Sequence, residues 1–178
     1  MTDRDVLADL VSYIAKETRL LLTDMSPEEL AWQPDAQGNS IGVTVWHYSR
    51  WLDLLVVRLL ENRPAEEEQW HTQGWAANTG YDPRGIGFRG LGAITGYTQQ
   101  EVAAIPLLSG EDLLTYLDQV CSALRGHLLS MPEGTLSSAA RGYPKGTAYQ
   151  TIMGPVLGSI GHLGEIEALK VLQERARL

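Results

Sequence analysis

From Ile41 to Leu60 the chain is apolar on nearly every side of a helix. Val43, Val45, Trp46, Trp51, Leu52, Leu54, Leu55, Val56, Val57 and Leu59 fill the interval. A helix of that composition is stable only when neighbours cover more than one of its faces. The sequence supplies those neighbours. Between Thr2 and Leu22, Val6, Leu7, Leu10, Val11, Ile14, Leu21 and Leu22 recur at helical spacing, and Thr2 with Asp5 resembles a capping box. A third segment, Ser109 to Met131, carries Leu113, Leu117, Val120, Cys121, Leu124 and Leu128 on one stripe and stops at Pro132 and Gly134. A fourth runs from about Ala148 to Arg177. Asn39 or Ser40 caps the second segment, and Ser26-Pro27-Glu28-Glu29 starts a short helix before it. No stretch sustains strand alternation. The expectation is an all-α, up-and-down four-helix bundle forming a single domain over residues 1–178.

One long crossover, Arg63 to Tyr97, joins helices two and three. It holds seven glycines between Gly74 and Gly96, together with Trp70, Trp75, Tyr81 and Phe88. Loops of this length are functional or disordered, and aromatic side chains are costly to leave in water. The crossover is therefore expected to close over the bundle and its site. Glu66-Glu67-Glu68 reads as solvated surface.

Charge narrows the function classes. The chain has 14 Lys+Arg against 22 Asp+Glu, a net charge of -8, and no basic run to neutralise phosphates. Nucleic acid and anionic lipid are not expected partners. The N-terminus lacks the order of a signal peptide, no stretch approaches a membrane span, and the one cysteine, Cys121, fits a reducing compartment. A cytoplasmic protein is expected.

Two motif matches fail on context. Gly38-Asn39-Ser40-Ile41-Gly42 fits a nucleophile elbow, but no strand precedes it and Ser40 already serves as a helix cap. Gly85-Ile86-Gly87-Phe88-Arg89-Gly90 fits a dinucleotide fingerprint without the strand before or the helix after.

The histidines carry more. His47 lies two turns into the second helix, on the side of Val43, Trp51 and Leu54. His162, in the fourth helix, projects with Gly158, Glu165, Ile166 and Leu169, opposite Glu167, Lys170 and Glu174. It is expected to point inward with Glu165 beside it. Bundles build metal sites from inward side chains on facing helices, including His/Glu pairs at i,i+3. An ordinary hydrogen-bonded core histidine is the competing reading. His127 and Cys121 read as core residues, and His71 lies in the crossover, its orientation open.

The run Asn39-Ser40-Ile41-Gly42 through Trp46-His47, with Trp51 and Asp53, resembles the second helix of the DinB-like superfamily. His162-Leu163-Gly164-Glu165-Ile166 resembles that family's fourth-helix signature, a histidine followed by x-Gly-Gln-Ile. The resemblance implies an up-down-down-up bundle, often homodimeric, holding a divalent metal on three histidines. One comes from helix two and two from helix four at H-x-x-x-H spacing. It also implies activities such as metal-dependent thiol transfer with mycothiol or bacillithiol, or maleylpyruvate isomerisation. On this chain His47 matches the helix-two ligand and His162 the second helix-four ligand. The first helix-four ligand falls on Gly158, which has no side chain, and the signature's Gln is Glu165.

The expected metal residues are therefore His47, His162 and Glu165, with His71 or a second subunit as other sources of a third ligand. The expected cofactor is Zn or Ni. Two functions compete: a metal-dependent transferase or hydrolase acting on a small molecule, and a small-molecule-binding or structural dimer that has lost its metal. Met153, Val156, Ile160 and Leu163 project away from His162, giving helix four a second apolar direction and the expectation of a homodimer.

Overall fold

The computed structural model describes residues 1–143 and 145–177. Four long helices form the body: α1 (Asp3–Leu22), α2 (Ile41–Leu54), α3 (Gly110–Ser130) and α4 (Ala148–Ala176). Each starts where a short polar side chain takes up a free backbone N–H of the first turn. Thr2 and Thr147 make full capping boxes with Asp5 and Gln150, while Ser40 and Ser109 accept from Val43 N and Asp112 N. Ser26 caps the short helix Pro27–Ala31 in the same way. Ser40 is thus a cap and no nucleophile.

α1 and α2 each pack mainly on α3 and α4, so α2 faces α4 directly. The core runs along the bundle through Leu7, Val11, Ile14, Ile41, Trp46, Leu52, Tyr116, Leu117, Leu124, Ile152 and Ile166, all nearly inaccessible. Among the described residues there is an isolated bridge, Ala139 to Thr147, and no strand.

α2 continues into a π-helical stretch, Leu55–Leu60. The widened turn leaves carbonyls for outside donors: Leu59 O accepts from Gly142 N at 3.0 Å and Leu60 O from Arg141 N at 3.1 Å. Only glycine fits at 142, because a Cβ there would overlap the Arg58 carbonyl. The segment leading into α4 is thereby tied to the end of α2.

The crossover is folded. It contains helical turns at Ala65–Glu67, Gln69–Thr72, Trp75–Thr79 and Phe88–Gly90. Trp70 is fully buried, and its indole N–H donates to Tyr81 O at 3.0 Å. Trp75 Nε1 donates to Gln119 of α3 at 2.8 Å, whereas Phe88 is exposed. Beneath lies a buried charge cluster. Arg50 of α2, fully buried, reaches Asp53 Oδ2 at 2.9 Å and Glu68 Oε2 at 2.6 Å, and its Nε donates to Gly92 O at 3.2 Å. Tyr116 OH donates to Asp53 at 2.8 Å, and Asp53 also accepts the first N–H groups of the Gln69–Thr72 helix, from Gln69 at 2.7 Å and Trp70 at 2.9 Å.

That cluster corrects the reading of Glu66-Glu67-Glu68. Glu66 and Glu67 are exposed, but Glu68 is buried beside Arg50, which neutralises it. Burial holds its carboxyl above the ordinary value, and Arg50 opposes that rise only in part.

Nor do Met153, Val156, Ile160 and Leu163 give α4 the second apolar face for a partner that their spacing predicts. Val156 and Leu163 are buried, and Met153 and Ile160 pack on the same core. α4 sits between α1 and α2, so its own bundle covers both apolar directions. The uncovered face is a different one, Leu157, Gly161, Gly164, Ala168 and Val171.

Candidate functional site

The facing of α2 and α4 brings His47 and His162 together. Their ring centroids lie 5.0 Å apart with the planes at 85°. Both rings are held by Nδ1. His47 Nδ1 meets the carbonyl of Ala93 at 2.8 Å, and His162 Nδ1 meets Glu165 Oε2 at 2.6 Å. The tautomer that donates from Nδ1 leaves Nε2 as an acceptor, so each ring presents one lone pair. Neither Nε2 has a hydrogen-bond partner among the described residues.

Ala93 is placed by the crossover. Gly92 before it adopts a positive φ, and a Cβ there would overlap Pro83 O, so glycine is required. Its carbonyl takes Arg50 Nε, and the next carbonyl takes His47. The crossover therefore braces His47 from behind. No described crossover residue lines the cavity in front of the rings, which corrects the expectation of a lid.

That cavity holds about 340 Å³. Tyr48, Trp51, Gly154, Pro155, Gly158 and Ser159 make its walls along with the two histidines. Most polar groups in it are already used. Tyr48 OH pairs with Thr18 Oγ1 at 2.8 Å, and Ser159 Oγ donates to Pro155 O at 2.8 Å. The Tyr48 ring stacks on His162 at 6.1 Å. Gly158, itself exposed, lines the cavity without a side chain, and a Cβ built there meets nothing within 4 Å.

Electrostatics keep His47 neutral. Burial lowers its pKa from 6.5 to about 4, His162 adds to the drop, and Ala93 and Glu165 oppose it. Cys121 is buried and its thiol is pushed up to about 12 by desolvation, so it is no nucleophile at neutral pH. His127 sits half-buried with Nδ1 3.5 Å from Glu61, and it lines polar grooves separate from the cavity of the paired rings. His71, in the Gln69–Thr72 helix, does not line the cavity.

The resemblance implies a triad of histidines, and the residues present do not complete it. His47 and His162 supply two nitrogen donors at one point. Gly158 supplies none, and Glu165 has one oxygen committed to His162 Nδ1. Among the described residues no group of three His, Cys, Asp or Glu is arranged to hold an ion. A catalytic zinc ordinarily keeps three protein ligands and an open position, and this donor set does not fit that pattern.

The sequence placed His47, His162, Glu165 and Gly158 together. It did not reveal the Ala93 carbonyl, whose position depends on crossover geometry. Tyr48 and Trp51 were within reach of the same helical projection that placed His47, since they follow it by one and four residues.

No curated protein matches the chain. A conserved protein from Enterococcus faecalis, known by crystal structure, shares the fold with a TM-score of 0.79 at 18% identity, covering 97% of each chain. The DinB superfamily model matches residues 13–165, which include both α2 and the histidine of α4. With most of its length inside that match, the chain belongs to the DinB superfamily.

Proposed function

We propose that this protein is a small-molecule-binding member of its superfamily, in which a compact ligand occupies the cavity before His47 and His162 in place of a resident metal. What supports this is the open cavity in front of the two rings, which Gly158 lines without adding a side chain to it. No neighbouring side chain occupies the space beside Gly158. Cavities of about 340 Å³ with few polar groups are the usual form of small-ligand sites.

A metal-dependent transferase or hydrolase, thiol-using or otherwise, is the second reading. It is favoured by the anchoring of both Nδ1 atoms, since metal-bound histidines ordinarily donate the other ring N–H to a carbonyl or carboxylate. Its third ligand has to come from Glu165 after it releases His162, or from a second subunit.

Elemental analysis of protein purified without an affinity tag separates the two. The binding reading expects less than about 0.1 equivalent of Zn, Ni, Mn or Fe, because two imidazoles do not retain an ion through purification. Close to one equivalent establishes the metalloprotein and overturns it. A homodimer is proposed through the exposed, uncharged face of α4, and a cytoplasmic setting accords with the free, buried Cys121.

A further inference from the structure

The two histidines of the site are oriented in different ways. His162 finds its partner on its own helix, Glu165 at i+3, beside Nδ1. The residue at i+3 of His47 is Arg50, a cation with donors only, which cannot accept a ring proton. His47 Nδ1 instead meets the Ala93 carbonyl at 2.8 Å, 46 residues along the chain. A carbonyl carries no hydrogen, so the proton of the neutral ring sits on Nδ1 and Nε2 is left as an acceptor. The tautomer of His47 is therefore decided by the crossover.

Arg50 holds that part of the crossover. Its Nη atoms are taken by Asp53, Glu68 and Tyr116, and its Nε donates to Gly92 O at 3.2 Å, the carbonyl next to the one that meets His47. Turning two successive carbonyls onto α2 takes unusual backbone. Gly92 has a φ of +70°, and Ile94 has a φ of 65°, left-handed values that a β-branched residue rarely adopts. Thr95 N closes a three-residue turn over Ile94, onto Ala93 O at 2.8 Å. Strain of this kind persists only where the surrounding structure over-determines it, and it gathers at functional sites. Gly92 and Ala93 are buried, and neither lines the cavity. What the strained turn gives the site is the aim of one carbonyl.

We infer that Arg50 is the positioning residue of His47: by pinning Gly92 O it aims the Ala93 carbonyl at Nδ1 and so fixes the tautomer in which Nε2 is the acceptor. Arg50 itself touches no ligand. The assignment goes beyond the binding reading, because a small molecule and an ion alike would use the Nε2 lone pair. It also gives a reason for keeping a guanidinium in the core. Buried ion pairs are often replaced by apolar side chains at no cost in stability, so stability alone is a weak reason for one. A guanidinium has Nη atoms for the two carboxylates and a separate Nε–H for the turn, whereas an ammonium is a single point of charge.

The test is long-range proton–nitrogen NMR of the histidine rings in the full-length protein at pH 7.5, after dialysis against EDTA, which reads each tautomer directly. In the parent, His47 is expected as the Nδ1–H form alone; an Nε2–H form or a mixture overturns the assignment. Arg50→Lys keeps a charge beside Asp53 and Glu68 but lacks the Nε–H, and is expected to bring His47 to comparable amounts of both tautomers while His162 stays as it was. Gly92→Ala, whose Cβ overlaps Pro83 O, displaces the turn from its other side and is expected to do the same. Trp75→Phe removes the bond to Gln119 and loosens the crossover away from Gly92, so it should leave His47 unchanged. A folded Arg50→Lys with His47 still wholly Nδ1–H overturns the assignment, as does a Trp75→Phe that shifts His47 equally. If Arg50→Lys does not fold, Gly92→Ala decides together with the Arg50 Nε–H signal. Exchange protection of that signal and the His47 tautomer must then be lost together, and loss of one alone overturns the link.

Discussion

Gly158→His is the substitution with the sharpest geometric content. Residues 158 and 162 are one turn apart on α4, so their Cβ atoms lie about 6 Å from each other on one face. His162 already has the His47 ring 5.0 Å away, and a Cβ at 158 enters open space. The new imidazole therefore reaches the same point without displacing a neighbour. Four-ligand zinc sites are worth roughly 10–16 kcal/mol, or about 3 kcal/mol per ligand, so a third histidine should tighten zinc binding on the order of 100-fold. Folding should not suffer, because replacing a mid-helix glycine removes up to about 1 kcal/mol of propensity cost. Zinc titration of parent and variant by calorimetry, with thermal melts alongside, measures both quantities. A variant that melts no lower than the parent and binds zinc no tighter refutes the placement of residue 158 opposite His47. A parent that already binds at nanomolar level refutes the incomplete donor set.

The structure also sets the outcome of three other substitutions. The pKa of His47 is depressed from 6.5 to about 4, so the unfolded chain takes up a proton there before the folded chain does; stability is lost as pH falls through 6.5 and the loss is complete near 4. His47→Phe should lose about 3 kcal/mol less than the parent between pH 7.5 and 4 in urea melts, and equal losses would show that His47 titrates normally. Arg50→Met leaves Asp53 buried without a cation and Glu68 with Arg58 alone, at 3.9 Å, so it should cost about 3–5 kcal/mol in denaturant unfolding; a cost below 1 kcal/mol would mean that water reaches the cluster. Leu157→Glu places a charge in the exposed uncharged face of α4 and should convert a dimer to a monomer by light scattering, whereas a parent already monomeric at micromolar concentration removes the dimer.

What could be read from the sequence was local. Thr2, Ser26, Ser40 and Ser109 cap the helices they precede because each cap is decided within four residues. The π-helical turn at Leu55–Leu60 could not be read, since its apolar residues are buried under either helical period. It is held by Arg141 and Gly142, far along the chain. Glu68 was misread for a related reason: an acidic run is solvated unless a distant cation claims one member. The signal lay in the other partner. Arg50 is the one Lys or Arg between Ile41 and Leu54, in a segment otherwise bound for the core, and a buried charge requires a partner.

The pair His162 and Glu165 shows where spacing stops deciding. At i,i+3 the two side chains share a helix face, which fits an ion held by both as well as it fits a hydrogen bond between them. An ion must be reached from α2 as well, and with Gly158 lacking a side chain only His47 and His162 converge on it. The hydrogen bond needs no third group, and the carboxylate takes the Nδ1 proton at 2.6 Å. Once it does, Glu165 changes role, from donor of a lone pair to a fixer of the tautomer. His162 then offers Nε2 outward as His47 does through Ala93. One missing side chain on α4 thus turns a chelating surface into an accepting one, and the chemistry open to the site shifts from holding an ion to receiving hydrogen-bond donors.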